Sequence, residues 1–229
     1  MSASWRTSRA GAQRLTVLGG ALLAALCCGC RGTRTLSDPT LEIRTPGGRE
    51  LGVATDFGVL FLGRTARSGE VQIVAWFGDG PSAEESVIEP LGEGLYTAAT
   101  QIRLPAVPMS FENPSAGDEL VVVARSAGEL WEERVRVLFD PRVEGILLSV
   151  PARLRDAPEL VGAGAFVEDY EDGPRRLLAL VSGRLVLQDA DGREREYLTA
   201  VGPDQLWRLV ARRQDLLNRR RWFYREDIL

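Results

Sequence analysis

Residues 118–140 read DELVVVARSAGELWEERVRVLFD. In the second half, Val135, Val137 and Phe139 alternate with Arg134 and Arg136, and the first half is a β-branched run, Val121-Val122-Val123. Side chains of a strand point to opposite faces in turn, so period-two alternation with β-branched enrichment argues strand rather than helix. The stretch therefore predicts two strands, 118–128 and 130–140.

Working outward, the same texture recurs. VATDFGVLFLG (53–63), GEVQIVAWFGDG (69–80) and GLYTAATQIRLP (94–105) read as strands, and Val71, Ile73, Ala75 and Phe77 alternate. EGILLSVPARL (144–154), RRLLALVSG (175–183), RLVLQDADG (184–192) and REREYLTAVG (193–202) follow suit. Short strands at regular spacing with glycine and proline between them predict an all-β sandwich or barrel. Asp79-Gly80 and Asp191-Gly192 are hairpin-turn dipeptides. The composition shifts at FENPSAG (111–117), which sets a boundary between two halves, 48–112 and 113–229. There is no convincing internal repeat. Only the end departs from the pattern: Pro203-Asp204 opens PDQLWRLVARRQDLLNRRRW, with Leu206, Leu209, Val210 and Leu217 on one helical face. Proline in the first turn with an acid beside it is a helix start.

The chain has 229 residues, 45% apolar and 26% charged, the composition of a globular protein. Every basic residue is arginine, and there is no histidine. Histidine is the usual proton shuttle near neutral pH and the commonest metal ligand. Its absence excludes serine–histidine triads, cysteine–histidine pairs and histidine-ligated zinc. The formal charge is −4; without the first 29 residues, which hold Arg6, Arg9 and Arg14 and no acid, it becomes −7. A body that acidic is a poor partner for nucleic acid phosphates.

Residues 1–14 are polar and positive, and an uncharged apolar run follows from Leu15 to Leu26. That is the n-region and h-region of a signal peptide, expected over 1–29. A membrane-spanning helix needs about 20 apolar residues, so the run is short for an anchor. The three cysteines of the chain, Cys27, Cys28 and Cys30, all lie at its end. This resembles the lipobox of bacterial lipoproteins, in which a small residue precedes a lipidated cysteine. Gly29-Cys30 fits best, while Cys27 stands where the family usually carries an aliphatic residue. The resemblance implies lipidation at Cys30 and an address in the bacterial cell envelope. Two or three acyl chains there would hold the protein to a membrane durably. An ordinary secretory signal and an uncleaved anchor are the alternatives. With Cys30 as first residue no other thiol remains, so stability must come from packing. Residues 30–47, with Pro39 and Pro46, read as a tether between lipid and body.

PSAGDELVVVARSAGELWEERVRV is similar to the connection and first hairpin of the second barrel of trypsin-like serine proteases. PELVGAGAFVEDYEDGPRRLLALVSGRL resembles the segment that carries their nucleophile, and TAVGPDQLWRLV their run into the terminal helix. The resemblance covers about 94–213 and implies two small β-barrels followed by a C-terminal amphipathic helix. It also implies a lost activity. Where the family has Gly-Asp-Ser-Gly, this chain has Glu159-Leu160-Val161-Gly162, with valine in the nucleophile's place. The triad acid falls near Ala98, and the base has no counterpart. Without these groups there is no activated serine and no acyl-enzyme route.

Other residues invite sharper readings. Glu168, Asp169, Glu171 and Asp172 form an acidic stretch with the hard oxygens that calcium takes, or a solvated turn. Asp189, Asp191 and Glu194 resemble part of a calcium loop, or a plain hairpin. Gly162-Ala163-Gly164 suggests a phosphate-binding turn, or a place where a side chain would collide with a neighbouring strand. Arg208, Arg212, Arg213, Arg219, Arg220 and Arg221 suit anionic headgroups, or pair with the acidic body. Trp222, Phe223 and Tyr224 suit an interface, or cap the core.

The expectation is a lipid-anchored envelope protein with no catalytic residues, no cofactor and no metal, which binds or scaffolds an envelope protein partner and not nucleic acid. Two other classes stay open: a hydrolase using carboxylates such as Glu168 and Asp169 or a metal they bind, and a β-sandwich adhesion or assembly module.

Overall fold

A computed structural model describes residues 38–226, apart from 65–68, 79, 127, 156–158, 169–174 and 189–190, with side chains to residue 218. Among the described residues twelve strands and two helices follow in order. The first six strands are β1 Thr40–Thr45, β2 Gly48–Thr55, β3 Gly58–Phe61, β4 Glu70–Phe77, β5 Gly80–Gly92 and β6 Leu95–Ala98. Then come β7 Glu119–Ser126, β8 Glu129–Leu138, β9 Ile146–Ser149, α1 Ala152–Arg155, β10 Gly164–Val167, β11 Arg176–Gln188, β12 Glu194–Val201 and α2 Pro203–Glu226.

The pairings between these strands are antiparallel, and the strands close into two barrels, β1-β2-β3-β6-β5-β4 and β7-β8-β9-β12-β11-β10. The two halves thus repeat one topology that their sequences do not show. Closure of each sheet on itself also removes the sandwich reading. The connection between the barrels runs from the end of β6 to the start of β7 and includes FENPSAG.

The opening stretch forms the β7–β8 hairpin. Val135 and Val137 are buried while Arg134 and Arg136 are exposed, as the alternation requires. Phe139 departs from it: β8 ends at Leu138, and Phe139 stands 79% exposed. Three apolar clusters carry the packing. One fills the first barrel around Ile43, Phe61 and Ile73, and one fills the second around Val122, Leu148 and Val181. The third lies between them, where Val53, Leu60, Val121, Phe166 and Leu180 meet Leu206, Leu209 and Val210 of α2. The apolar face expected of α2 is therefore the clamp over the junction, although Leu217 is only half-buried. Trp207 fixes the helix start: its Nε1–H donates to the Ser110 carbonyl at 2.7 Å, and its ring stacks on Phe111 at 3.8 Å.

Several expected boundaries move. Residues 40–45, assigned to the tether, are β1, so the first barrel begins before residue 48. The prolines 39 and 46 flank this strand rather than interrupt it, and Leu41 and Ile43 are fully buried. VATDFGVLFLG is not one strand; Thr55 and Gly58 bracket a turn, with Thr55 Oγ1 accepting from Phe57 N–H and donating to the Gly58 carbonyl. The 94–105 strand stops at Ala98. β5, unforeseen, is acid-rich and half-exposed along its length, held by its ladder to β4 rather than by a buried face. Residues 175–192, expected as two strands, give one, β11, with a bulge between Val181 and Gly183.

Candidate functional site

Topology brings two equivalent connections to the barrel junction: β3–β4 from the first barrel and β9–β10 from the second. The β9–β10 connection carries Glu159-Leu160-Val161-Gly162. Leu160 is buried in the second barrel and Val161 packs on the junction cluster. The backbone here is committed. The Val161 carbonyl accepts from Leu51 N–H at 2.8 Å, Gly162 N–H donates to Val181 and Ala163 N–H donates to Leu160. Glu159 is ion-paired with Arg49 of the first barrel. Gly162 has φ +83°, and a Cβ there would lie 1.8 Å from the Leu51 carbonyl oxygen. A Cβ on Gly164 would lie 2.5 Å from the Phe166 ring. A Cβ at Gly162 would collide with the backbone of a neighbouring strand, β2, whereas at Gly164 the obstacle is the Phe166 ring of its own strand; a strand, not a helix, follows.

The β3–β4 connection brings a different residue. Gly63 turns left-handed (φ +61°) where a Cβ would meet the Tyr96 ring at 2.1 Å. Arg64 N–H then donates to Oε2 of the fully buried Glu50 at 3.3 Å. This aims the Arg64 guanidinium across the junction at β11 and β12. A Cβ built on Gly183 would lie 3.5 Å from Arg64 Nη1, 3.8 Å from Nη2 and 3.9 Å from Thr199 Oγ1. Beside it, Ser182 Oγ and Thr199 Oγ1 share a hydrogen bond of 2.9 Å. Ala98, the position the resemblance gives to a triad acid, is elsewhere: it is buried in the first barrel's own cluster. Ala98 and Val161 do not share a site.

Charge is also buried where the barrels touch. Asp38 and Arg125 of β7 are both more than nine-tenths buried and approach to 3.6 Å. Burial raises the Asp38 carboxyl above its usual range, only partly offset by hydrogen bonds from Thr40 and by Arg125; burial likewise lowers the Arg125 guanidinium. Neither these residues nor Glu50 and Arg64 stood out in the sequence. Glu50 and Arg125 carried one signal, a charge within an apolar strand; Asp38 and Arg64 carried none.

The other candidates resolve into surface chemistry. Glu168 pairs with Arg134 at 3.3 Å and Arg175 at 3.0 Å, beside an open groove of about 700 Å³ whose Glu119 is likewise held by Arg136. Asp169, Glu171 and Asp172 lie outside the described residues, as does Asp189; Asp191 and Glu194 sit exposed on the β11–β12 hairpin. Among the described residues no three acids, cysteines or histidines gather as a metal would need. On α2, Arg208 pairs with Glu93 at 2.8 Å and Arg213 with Glu89 at 2.6 Å, while Arg212 is exposed. The side chains of Arg219, Arg220, Arg221, Trp222, Phe223 and Tyr224 lie outside the described residues, and so does Cys30 with the whole leader.

No protein-family model matches the chain, and no curated protein sequence matches it. Solved structures do. The human pathogenic astrovirus serine protease aligns at 14% identity with a TM-score of 0.51, covering 73% of this chain and 91% of that one. The Rv3671c protease of M. tuberculosis, in an inactive form, aligns at 15% identity with a TM-score of 0.51, covering 86% and 94%. At such identities the likeness speaks for architecture alone. With two closed six-stranded barrels of like order and a helix clamped over their junction, the chain has the fold of the trypsin-like serine proteases.

Proposed function

We propose that this is a lipid-anchored protein of the bacterial cell envelope whose protease-like body binds or scaffolds a partner without catalysing hydrolysis. The observation that carries the reading is the β9–β10 connection. Its Val161 side chain has no nucleophile, and its backbone is tied to Leu51 and Val181. The chain offers no histidine to activate a hydroxyl anywhere else. Ser182, next to Gly183 on β11, has Thr199 as its hydrogen-bond partner among the described residues, and a threonine is no base at neutral pH. The carboxylate-hydrolase reading is weaker, because Glu168 is bound by two arginines and faces an open groove. The anchor rests on the lipobox-like Gly29-Cys30 alone.

Two labels test the parts separately. A fluorophosphonate probe should leave the full chain unlabelled, and stoichiometric labelling would overturn the non-catalytic reading. Radiolabelled palmitate supplied to expressing cells should enter the protein and be lost in Cys30→Ala; incorporation that survives this substitution would move or remove the anchor.

A further inference from the structure

We infer that the barrel junction is a carboxylate-recognition site in which Arg64 receives an acidic side chain of an extended peptide, an inference that rests on the binding role proposed above. Three features hold Arg64 for this task. The left-handed Gly63 turns the chain out of the first barrel at a point where a Cβ would strike Tyr96. The buried Glu50 carboxylate accepts from the Arg64 backbone N–H, and the guanidinium lies beside Gly183. Gly183 offers no side chain where the guanidinium arrives.

The guanidinium itself has no carboxylate within 4.0 Å among the described residues, whereas Arg49, Arg134, Arg175, Arg208 and Arg213 all do. An arginine held in place by its backbone and lacking an internal anion is suited to bind an external one, and its planar fork matches a carboxylate in two parallel hydrogen bonds. The Ser182 and Thr199 hydroxyls beside it share one hydrogen bond, and Thr199 Oγ1 lies 3.4 Å from the Gly183 carbonyl, so the pair leaves at most one O–H for a ligand. The setting favours a peptide over a free anion. Among the described residues β10 pairs with β11 only as far as Leu180, so beyond the bulge β11 is laddered to β12 alone. A strand running past Arg64 with one side open to pairing is the arrangement by which extended peptides dock. The acidic body sharpens the site's selectivity. It repels anions in general, so an acidic peptide gains only where a cation is held for it.

Fluorescence anisotropy with fluorescein-labelled hexaglutamate, and hexaglutamine as neutral control, on the full chain at low salt tests this. Hexaglutamate should bind and hexaglutamine should not. Arg64→Gln should weaken binding at least about tenfold, the loss of a charge-assisted bidentate contact. Arg64→Lys should weaken it less. Gly183→Val should weaken it without changing charge, by pushing the guanidinium off β11. Arg103→Gln, an exposed arginine of the linker, should leave it unchanged. Equal binding of the two peptides, no binding of either, or hexaglutamate binding indifferent to Arg64→Gln would overturn the inference. Fluorophosphonate labelling reports separately on the non-catalytic reading: an unlabelled chain that ignores hexaglutamate loses the carboxylate site and keeps the binding role.

Discussion

The two barrels share one strand order, and in each the connection from third to fourth strand reaches the junction, yet the two connections do opposite things. β9–β10 turns inward: Leu160 and Val161 are packed, its backbone is hydrogen-bonded across the junction and Gly162 sits against Leu51. β3–β4 begins in the junction cluster with Leu62, but its next described side chain after Gly63, Arg64, is exposed, with its backbone N–H anchored on Glu50. Val161 is structure and Arg64 is surface. The difference teaches that a shared topology fixes where chain segments arrive, while a few residues decide whether they glue the barrels or present chemistry.

Substitutions can break that contrast. The largest effect belongs to Gly162→Val, which puts a Cβ into the Leu51 carbonyl and forces a β-branched residue to φ +83°. It should cost on the order of 4 kcal/mol or more by chemical denaturation. Its counterpart Gly69→Ala, at the end of β3–β4 with nothing within 4 Å, should change stability by less than about 1 kcal/mol. Next, Leu51→Ala removes a fully buried side chain that the first barrel lends to the second barrel's cluster, and should cost about 3 kcal/mol. Arg64→Ala should lie within about 0.5 kcal/mol of the parent.

The buried pair beside the junction gives a pH signature. Because burial raises Asp38 in the folded state above its usual 3.8, the native chain binds more protons than the unfolded one just above that pH. The Asp38 contribution therefore favours folding below this window and is lost as pH rises through it. Asp38→Asn should flatten that segment of the stability–pH curve. Arg125→Met, which leaves Asp38 buried without its cation, should lower stability at neutral pH by about 3 kcal/mol. The smallest effect lies far from the junction. Asp140 is held down to about 2 by hydrogen bonds from Arg142, so Arg142→Gln should return its carboxyl resonance titration toward the usual 3.8 in NMR. Whatever the pair adds is present above that usual value and lost as pH falls toward about 2.

The fold was legible wherever one face of a strand is buried and the other is wet. β4 and β8 announce themselves through Val71, Ile73, Val135 and Val137, with Arg136 between the last two; β7, buried on both faces, announces itself by its apolar run Val121–Val123. β5 did not, because neither of its faces is fully buried and its glutamates read as a loop. β1 hid behind Pro39 and Pro46, and its Glu42 is buried only because Arg44, at 3.0 Å, and Arg49 cover it. At the site, the want of a nucleophile at Val161 was readable from the residue alone. Arg64 was not. Its placement depends on Gly63, on Glu50 from a neighbouring strand and on Gly183 from the other barrel, and no local pattern joins these four residues.

The most direct test of the account is to incubate the full chain, at stoichiometric concentration, with a proteome-derived peptide library and search for new termini by mass spectrometry. The library should come back unchanged, because Val161 carries no nucleophile and the chain has no histidine to activate a hydroxyl. Cleavage at defined sequences, abolished by substitution of Ser182 or of the acids around Glu168, would contradict it.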